Sequence, residues 1–353
     1  MLSATPSPRL CWDIGTAYDL FMSLEVIHNP DHFGLRGSWA AGVRSRLPAA
    51  ERETLQQIYK AFYKGCYYWV YTLPEPKDGA TVLKALIEMP PIERLRALIL
   101  HPGIQRDLKE AFENVGAGMG GVDIDPRALQ ACLHSNKPSR KDIADILEVW
   151  AHPQEWGERF LTALQAYYEV FFAEEEIRIR PALQATAKRV QTLAADVDVP
   201  TLIGEISEGI HFAETLDVEE LVLIPSFWTT PLITDIRLGK PLMLFIFGAR
   251  PGNASLVPGE AVPDALFLAL KALADPTRLR ILRYLTSEPL TPAQLSRRLR
   301  LRAPTVVHHL RALRLAGLVH LTIESGKKVS YTARSEGVQA TFTALQDFLG
   351  QDE

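Results

Sequence analysis

Between residues 271 and 334 the chain carries 13 Lys and Arg against 3 Asp and Glu, a net charge of +10 in a protein whose formal net charge is −4. Four of the cations, Arg297, Arg298, Arg300 and Arg302, alternate with Leu299 and Leu301. Thr305, Val306, His308, His309 and Arg311 follow within three helical turns of Arg302. Guanidinium groups hold phosphate, and Thr, His and Arg side chains can also reach base edges, so this mixture suits a nucleic-acid groove. The rest of the chain is acidic: residues 1–263 carry −9 and residues 264–353 carry +5. Phosphate binding confined to one end requires that asymmetry, and it points to duplex DNA as a partner.

The local signals supply elements to position those residues. Asp275-Pro276 is a cap followed by a first-turn proline, and Leu279, Ile281, Leu282 and Leu285 give the following helix its apolar face. Thr291-Pro292-Ala293-Gln294 reads as a capping box that starts a short helix over 292–299. A second helix runs from about Ala303 to Ala316 and stops at Gly317, a suitable C′ residue. Two helices joined by so short a turn form a helix-turn-helix, whose second member lies in the major groove. Beyond it, 318–324 and 328–332 alternate as a hairpin with Gly326, Lys327 and Lys328 at its tip, a wing placed to meet phosphate. Val338, Phe342, Leu345 and Leu349 recur at helical spacing on a last helix.

With ALADPTRLRIL at 272–282, PTVVHHLRALRLAGLV at 304–319, and Gly326, Lys327 and Tyr331 in the wing, the segment from about Phe267 to Leu349 resembles the winged helix of ArsR-type transcriptional repressors. The resemblance implies a homodimer on a two-fold operator, paired through the first and last helices of the module. Leu266, Leu270, Val338, Phe342 and Leu345 are the candidate interface residues. From their charge and placement, Arg297, Arg298, Arg300, Lys327 and Lys328 are expected to hold phosphates, with Tyr331 beside them in the wing. Arg302, Thr305, Val306, His308, His309 and Arg311 are left to read the groove. Three positions depart from the family pattern. Arg302 stands where a capping Ser is usual, and Arg300 where the turn usually has Gly. Val307 replaces a Ser that often faces DNA. Metal-sensing relatives use a Cys pair on the helix before the recognition helix, or carboxylates and His on the last one. Residues 292–299 here have no Cys and 335–353 no His, so neither a metal nor any other cofactor is expected.

The remainder of the chain names no chemistry so directly. With 353 residues, more than one domain is expected. Residues 1–12 read as a loose arm and 13–250 as a mostly helical domain, with short strands near 210–212, 221–225 and 241–247 forming a small antiparallel sheet. Residues 251–263 read as a Pro/Gly-rich linker, and 264–353 as the DNA-binding and dimerisation domain. The expected class is thus mainly α with small β elements (α+β). Cys11, Cys66 and Cys132 are too few and too scattered for a disulfide framework; with no apolar run long enough to span a membrane, a cytoplasmic protein is expected. Cys66 reads as core, Glu174-Glu175-Glu176 as a solvated first turn, and the Gly116–Gly121 cluster as a connection rather than a phosphate cradle. Aromatic residues concentrate before the linker, where a pocket for a small apolar effector is one possibility. The reading is a non-enzymatic, dimeric DNA-binding regulator of repressor type. The alternatives are an enzyme with an autoregulatory DNA-binding appendage, or a constitutive DNA binder whose N-terminal region mediates assembly.

Overall fold

The computed structural model describes residues 7–59, 65–104, 106, 109–110, 113, 140–212, 216–257, 259, 262–323 and 329–350. The Gly116–Gly121 cluster, Cys132, and Lys327 and Lys328 of the wing lie outside the described residues.

The chain opens with strand β1 (Arg9–Trp12), followed by α1 (Thr16–His28), α2 (Gly37–Ser45), α3 (Ala49–Tyr59), α4 (Gly65–Thr72), α5 (Gly79–Glu88) and α6 (Pro91–Ile99). Next come α7 (Arg140–Ala151) and α8 (Pro153–Tyr167), a π-helical turn over Tyr168–Phe172, α9 (Ala173–Asp196) and α10 (Val199–Ile206). A body sheet is completed by β3 (Glu220–Ser226), β4 (Thr234–Arg237) and β5 (Leu242–Gly248) in the order β1-β3-β5-β4.

That sheet corrects two expectations. It is mixed rather than antiparallel: β3 runs parallel to both β1 and β5, and only β4 is antiparallel. The connection from β1 to β3 is the whole helical body, long enough for the crossover that parallel pairing needs. Residues 9–12, expected in a loose arm, are an edge strand whose alternation fits both faces. Leu10 and Trp12 pack with Leu221, Leu223, Met243, Phe245 and Phe247 against α9 and α10, while Cys11 turns to the side of Val222, Ile224, Leu244 and Ile246. Both sheet faces are therefore covered, one by α1–α9 and the other by the end of α9 with α10.

Buried carboxylates tie this body together. Glu175 and Glu176 are 3% and 4% exposed rather than solvated, because the π-helical turn joins α8 to α9 and puts these residues in the interior of a long continuous helix. Glu175 accepts from Arg178, whose guanidinium also donates to the Ser255 and Leu256 carbonyls. Glu176 accepts from Thr16 Oγ1, from the Gly79 amide at 2.9 Å and from Tyr168 Oη at 2.8 Å. Asp19 of α1, fully buried, accepts from Ser226 Oγ at 2.7 Å and from the Trp228 and Phe227 amides at 3.0 and 3.3 Å. Cys66 is core, as expected, and burial pushes its thiol pKa up.

The C-terminal module consists of α11 (Asp264–Leu273), α12 (Pro276–Leu285), α13 (Pro292–Leu299), α14 (Ala303–Leu315), strands β6 (Val319–Ile323) and β7 (Val329–Ala333), and α15 (Ser335–Leu349). Its own core holds Ile281, Leu285, Leu290, Leu295, Leu299, Val306, Leu310, Leu313 and Leu318. The segment before it does not hang free. Leu256 is buried in the body's core, and Asp264 accepts from the Leu256 amide at 2.6 Å and from Arg250, whose pKa burial lowers to about 10.

The module's sheet has a third strand. β2 (Ile210–Phe212) does not join the body sheet but pairs parallel with β6, giving the order β2-β6-β7, with Ile210 opposite Leu321 and Phe212 opposite Ile323. The strand that leaves α10 thus completes the wing of the C-terminal module.

Candidate nucleic-acid interface

Asp275 caps α12 by accepting from the Thr277 and Arg278 amides at 2.8 and 3.0 Å. The capping box at α13 is formed in both directions: Gln294 accepts from the Thr291 amide at 2.8 Å, and Thr291 Oγ1 accepts from the Gln294 amide at 3.3 Å. Arg300 then ends α13 at φ +54°, in the left-handed region, which explains why the resemblance places Gly there. Arg302 is the N-cap of α14 and makes no side-chain cap bond. Gly317, at φ +65°, turns the chain into β6.

On α14 the inward stripe is Val306, Leu310 and Leu313. Thr305, Val307, His308 and Arg311 are exposed on the other side, as are Arg302 at the cap and Arg297 and Arg300 in the turn. Val306 had been expected to read DNA; it is instead fully buried, because it begins the 306-310-313 stripe that seats the helix on its core. Its neighbour Val307 is the exposed one, at 51%. His309 is half-buried, and desolvation lowers its pKa, opposed by the nearby Asp275; it faces the scaffold more than the groove. Arg298 is exposed but engaged, 2.7 Å from Glu288 and with its guanidinium 5.8 Å from the Tyr284 ring centre. Tyr331 is half-buried against the module core, and its backbone exchanges hydrogen bonds with Leu290 in both directions at 2.9 and 3.0 Å. It anchors the wing rather than projecting from it.

The expected dimer residues divide similarly. Leu266 is 4% exposed within the protomer, Leu270, Val338 and Leu345 are half-buried, and Phe342 is 54% exposed. Leu279, expected inside, is 47% exposed.

One buried cation escaped the sequence reading altogether. Arg314, counted there only as positive charge, is 6% exposed and donates to the Ser207 carbonyl at 2.6 Å and the Glu208 carbonyl at 3.4 Å. Its guanidinium therefore closes the C-terminal end of α10. The signal was present, since Arg314 follows Leu310 by four residues and must share its inward face.

A two-helix unit with a satisfied capping box, a recognition helix with an exposed polar and basic face, and a hairpin beside it define a winged helix-turn-helix DNA reader. A family described as helix-turn-helix domain matches residues 273–322. HlyU from Vibrio cholerae is similar at 34% identity, covering 25% of this chain and 94% of that protein, with a TM-score of 0.20. NolR from Sinorhizobium fredii is similar at 26% identity, covering 28% and 99%, with a TM-score of 0.21. No curated protein matches the chain. Residues 273–322 are a helix-turn-helix domain, and the protein is a DNA-binding transcriptional regulator. Among the described residues, no helix is long and apolar enough to cross a membrane.

Proposed function

We propose that the protein is a homodimeric, ArsR-like repressor that grips a two-fold operator with α14 of each protomer. The observation that carries this reading is the face of α14 and its preceding turn. Arg297, Arg300, Arg302, Thr305, Val307, His308 and Arg311 are all exposed there, while the opposite face is fully committed to the core. Lys327 and Lys328 are assigned to the phosphates beside it. Support for the dimer comes from Phe342 and Leu349, 54% and 73% exposed on α15, the helix that packs beside α11.

We further propose that the N-terminal body senses rather than catalyses. Asp19, Glu175 and Glu176 spend their oxygens on hydrogen bonds inside the body, which fits structural roles. A cleft of about 440 Å³ between body and reader, lined by Leu35, Trp39, Val257, Val262 and Phe267 with Arg36 at its edge, is the place for a small apolar effector. The cavity inside the helical body, lined by Phe21, Leu24, Leu55 and Phe160, is only about 30 Å³ and is too small for one.

The test is fluorescence anisotropy on duplexes selected from a random-sequence pool, with sedimentation in parallel. Arg311→Ala is expected to weaken binding across sequences and to reduce the slope of log K against log salt by about one. A monomer at micromolar concentration refutes the dimer, and an unchanged salt slope refutes the role of Arg311.

A further inference from the structure

The seam between body and reader brings together two histidines that lie far apart in the sequence. His211 of β2 faces His320 of β6, with Nε2 of the first 3.3 Å from Nδ1 of the second. On its other side, Nε2 of His320 is 2.9 Å from Glu336 Oε1. An ionised carboxylate only accepts hydrogen bonds, so Nε2 of His320 carries the proton and Nδ1 presents a bare lone pair to His211. Two glycines make room for the rings. A Cβ on Gly209 would stand 2.5 Å from His320 Nδ1, and one on Gly204 would stand 3.1 Å from His211 Cε1.

This is the arrangement of a metal-binding imidazole with its orienting carboxylate. Two nitrogens bound to one tetrahedral ion at ~2.05 Å are separated by ~3.3 Å, the separation found here. His211 is exposed, so its ring can rotate to turn the Nε2 lone pair off the N–N line, with its own proton moved to Nδ1. We propose that His211 and His320 form a two-imidazole site for a divalent transition metal of the zinc, nickel and copper class, with Glu336 as the orienting carboxylate. Glu336 stands behind His320 and, among the described residues, no group of three His, Cys, Asp or Glu is placed to hold an ion, so water completes the coordination and affinity follows the order in which imidazole sites favour copper over nickel and zinc. The ion would bridge β2, the strand that follows α10, to the wing. The site itself is independent of the effector reading above.

The experiment is isothermal titration of the full-length, chelator-treated protein with Zn²⁺, Ni²⁺ and Cu²⁺ salts in the absence of DNA, repeated on variants. One saturable ion per chain is expected, weakened at least ~10-fold by His211→Ala and between ~10-fold and ~100-fold by Glu336→Gln. His211 is exposed, so its variant folds and keeps the test decisive if His320→Ala does not. Electron paramagnetic resonance of the Cu²⁺ form is expected to report two equivalent-class nitrogens, reduced to one in His211→Ala. A His308→Ala/His309→Ala variant is expected to titrate like the wild type. Absence of a saturable site, or isotherms unchanged by His211→Ala, would leave a hydrogen-bonded histidine pair and overturn the proposal.

Discussion

Arg300→Gly separates what the turn costs the fold from what it gives the DNA complex. At φ +54° a non-glycine residue gives up ~1–2 kcal/mol relative to the right-handed region. Glycine removes that strain but brings back ~0.5–1 kcal/mol of unfolded-state freedom. The net expectation is a gain of ~0.5–1 kcal/mol in stability, read from the urea midpoint by far-ultraviolet circular dichroism. The same change deletes an exposed guanidinium from the turn before the recognition helix. If that group meets a phosphate, the slope of log K against log salt falls by ~0.9, and affinity at 0.1 M salt drops ~8-fold relative to the 1 M extrapolation. Stability and affinity thus move in opposite directions. Arg300→Lys keeps both charge and backbone strain and should change neither by more than a small factor. A destabilised Arg300→Gly refutes the strain argument; an unchanged salt slope refutes the phosphate contact.

Three further perturbations test other parts of the structure. Val306→Ala should cost ~2 kcal/mol in a core position while leaving base preference alone, whereas Val307→Ala should leave the urea midpoint within ~0.5 kcal/mol and shift base preference; the reverse pattern would sink the assignment of the two faces. Arg314→Met keeps the volume but strips the donors from the Ser207 and Glu208 carbonyls, so a loss of ~2–3 kcal/mol and faster amide exchange along 209–212 are expected; unchanged exchange would mean the guanidinium holds nothing. Burial raises the Asp19 pKa to about 7, against hydrogen bonds that lower it. A carboxyl with a raised folded pKa contributes its stability fully below the unfolded value near 4 and loses it as pH rises through about 7, at up to ~1.4 kcal/mol per pH unit and roughly 4 kcal/mol in all. Asp19→Asn should flatten that part of the stability profile between pH 4.5 and 8, even if it lowers the midpoint by mispairing with the Phe227 amide. A slope identical to that of the wild type would show that Asp19 does not titrate in this window.

What could be read from the sequence was whatever is decided within a few residues. The Asp275 cap, the Thr291–Gln294 box and the stop at Gly317 are local bargains between a side chain and the next turn, and each formed where expected. The burial of Arg314 was equally local, but a basic segment invites reading every cation as a phosphate contact. Charge counting hid what helical spacing would have revealed. Long-range pairing left no such trace. Ile210-His211-Phe212 reads as a strand from its residue types, yet its partner begins 109 residues later, and no three-residue pattern specifies which sheet it joins. Glu175 and Glu176 were misplaced for a related reason: three consecutive carboxylates look solvated until Thr16, Gly79 and Tyr168 arrive to satisfy Glu176 and Arg178 pairs with Glu175.

The pairing of β2 with β6 alters what the body can do to the reader. Had the linker alone connected them, movement in the body would be lost in chain freedom, and only occlusion of the DNA-reading face could regulate it. Here that face is open while the opposite side of the same helix is held, through Arg314, by the Ser207 and Glu208 carbonyls that follow α10. α10 in turn packs on the body sheet through Leu202, Ile203 and Ile206. Packed cores transmit displacement because they have little free volume to absorb it. A shift of α10 against that sheet therefore reaches the recognition helix and the wing together, through one buried guanidinium and one shared strand. In the proposed dimer, whose two recognition helices would match successive turns of a groove, a small rotation applied at that point would change half-site spacing without unfolding anything. Regulation through orientation, rather than through masking, is what this connectivity favours.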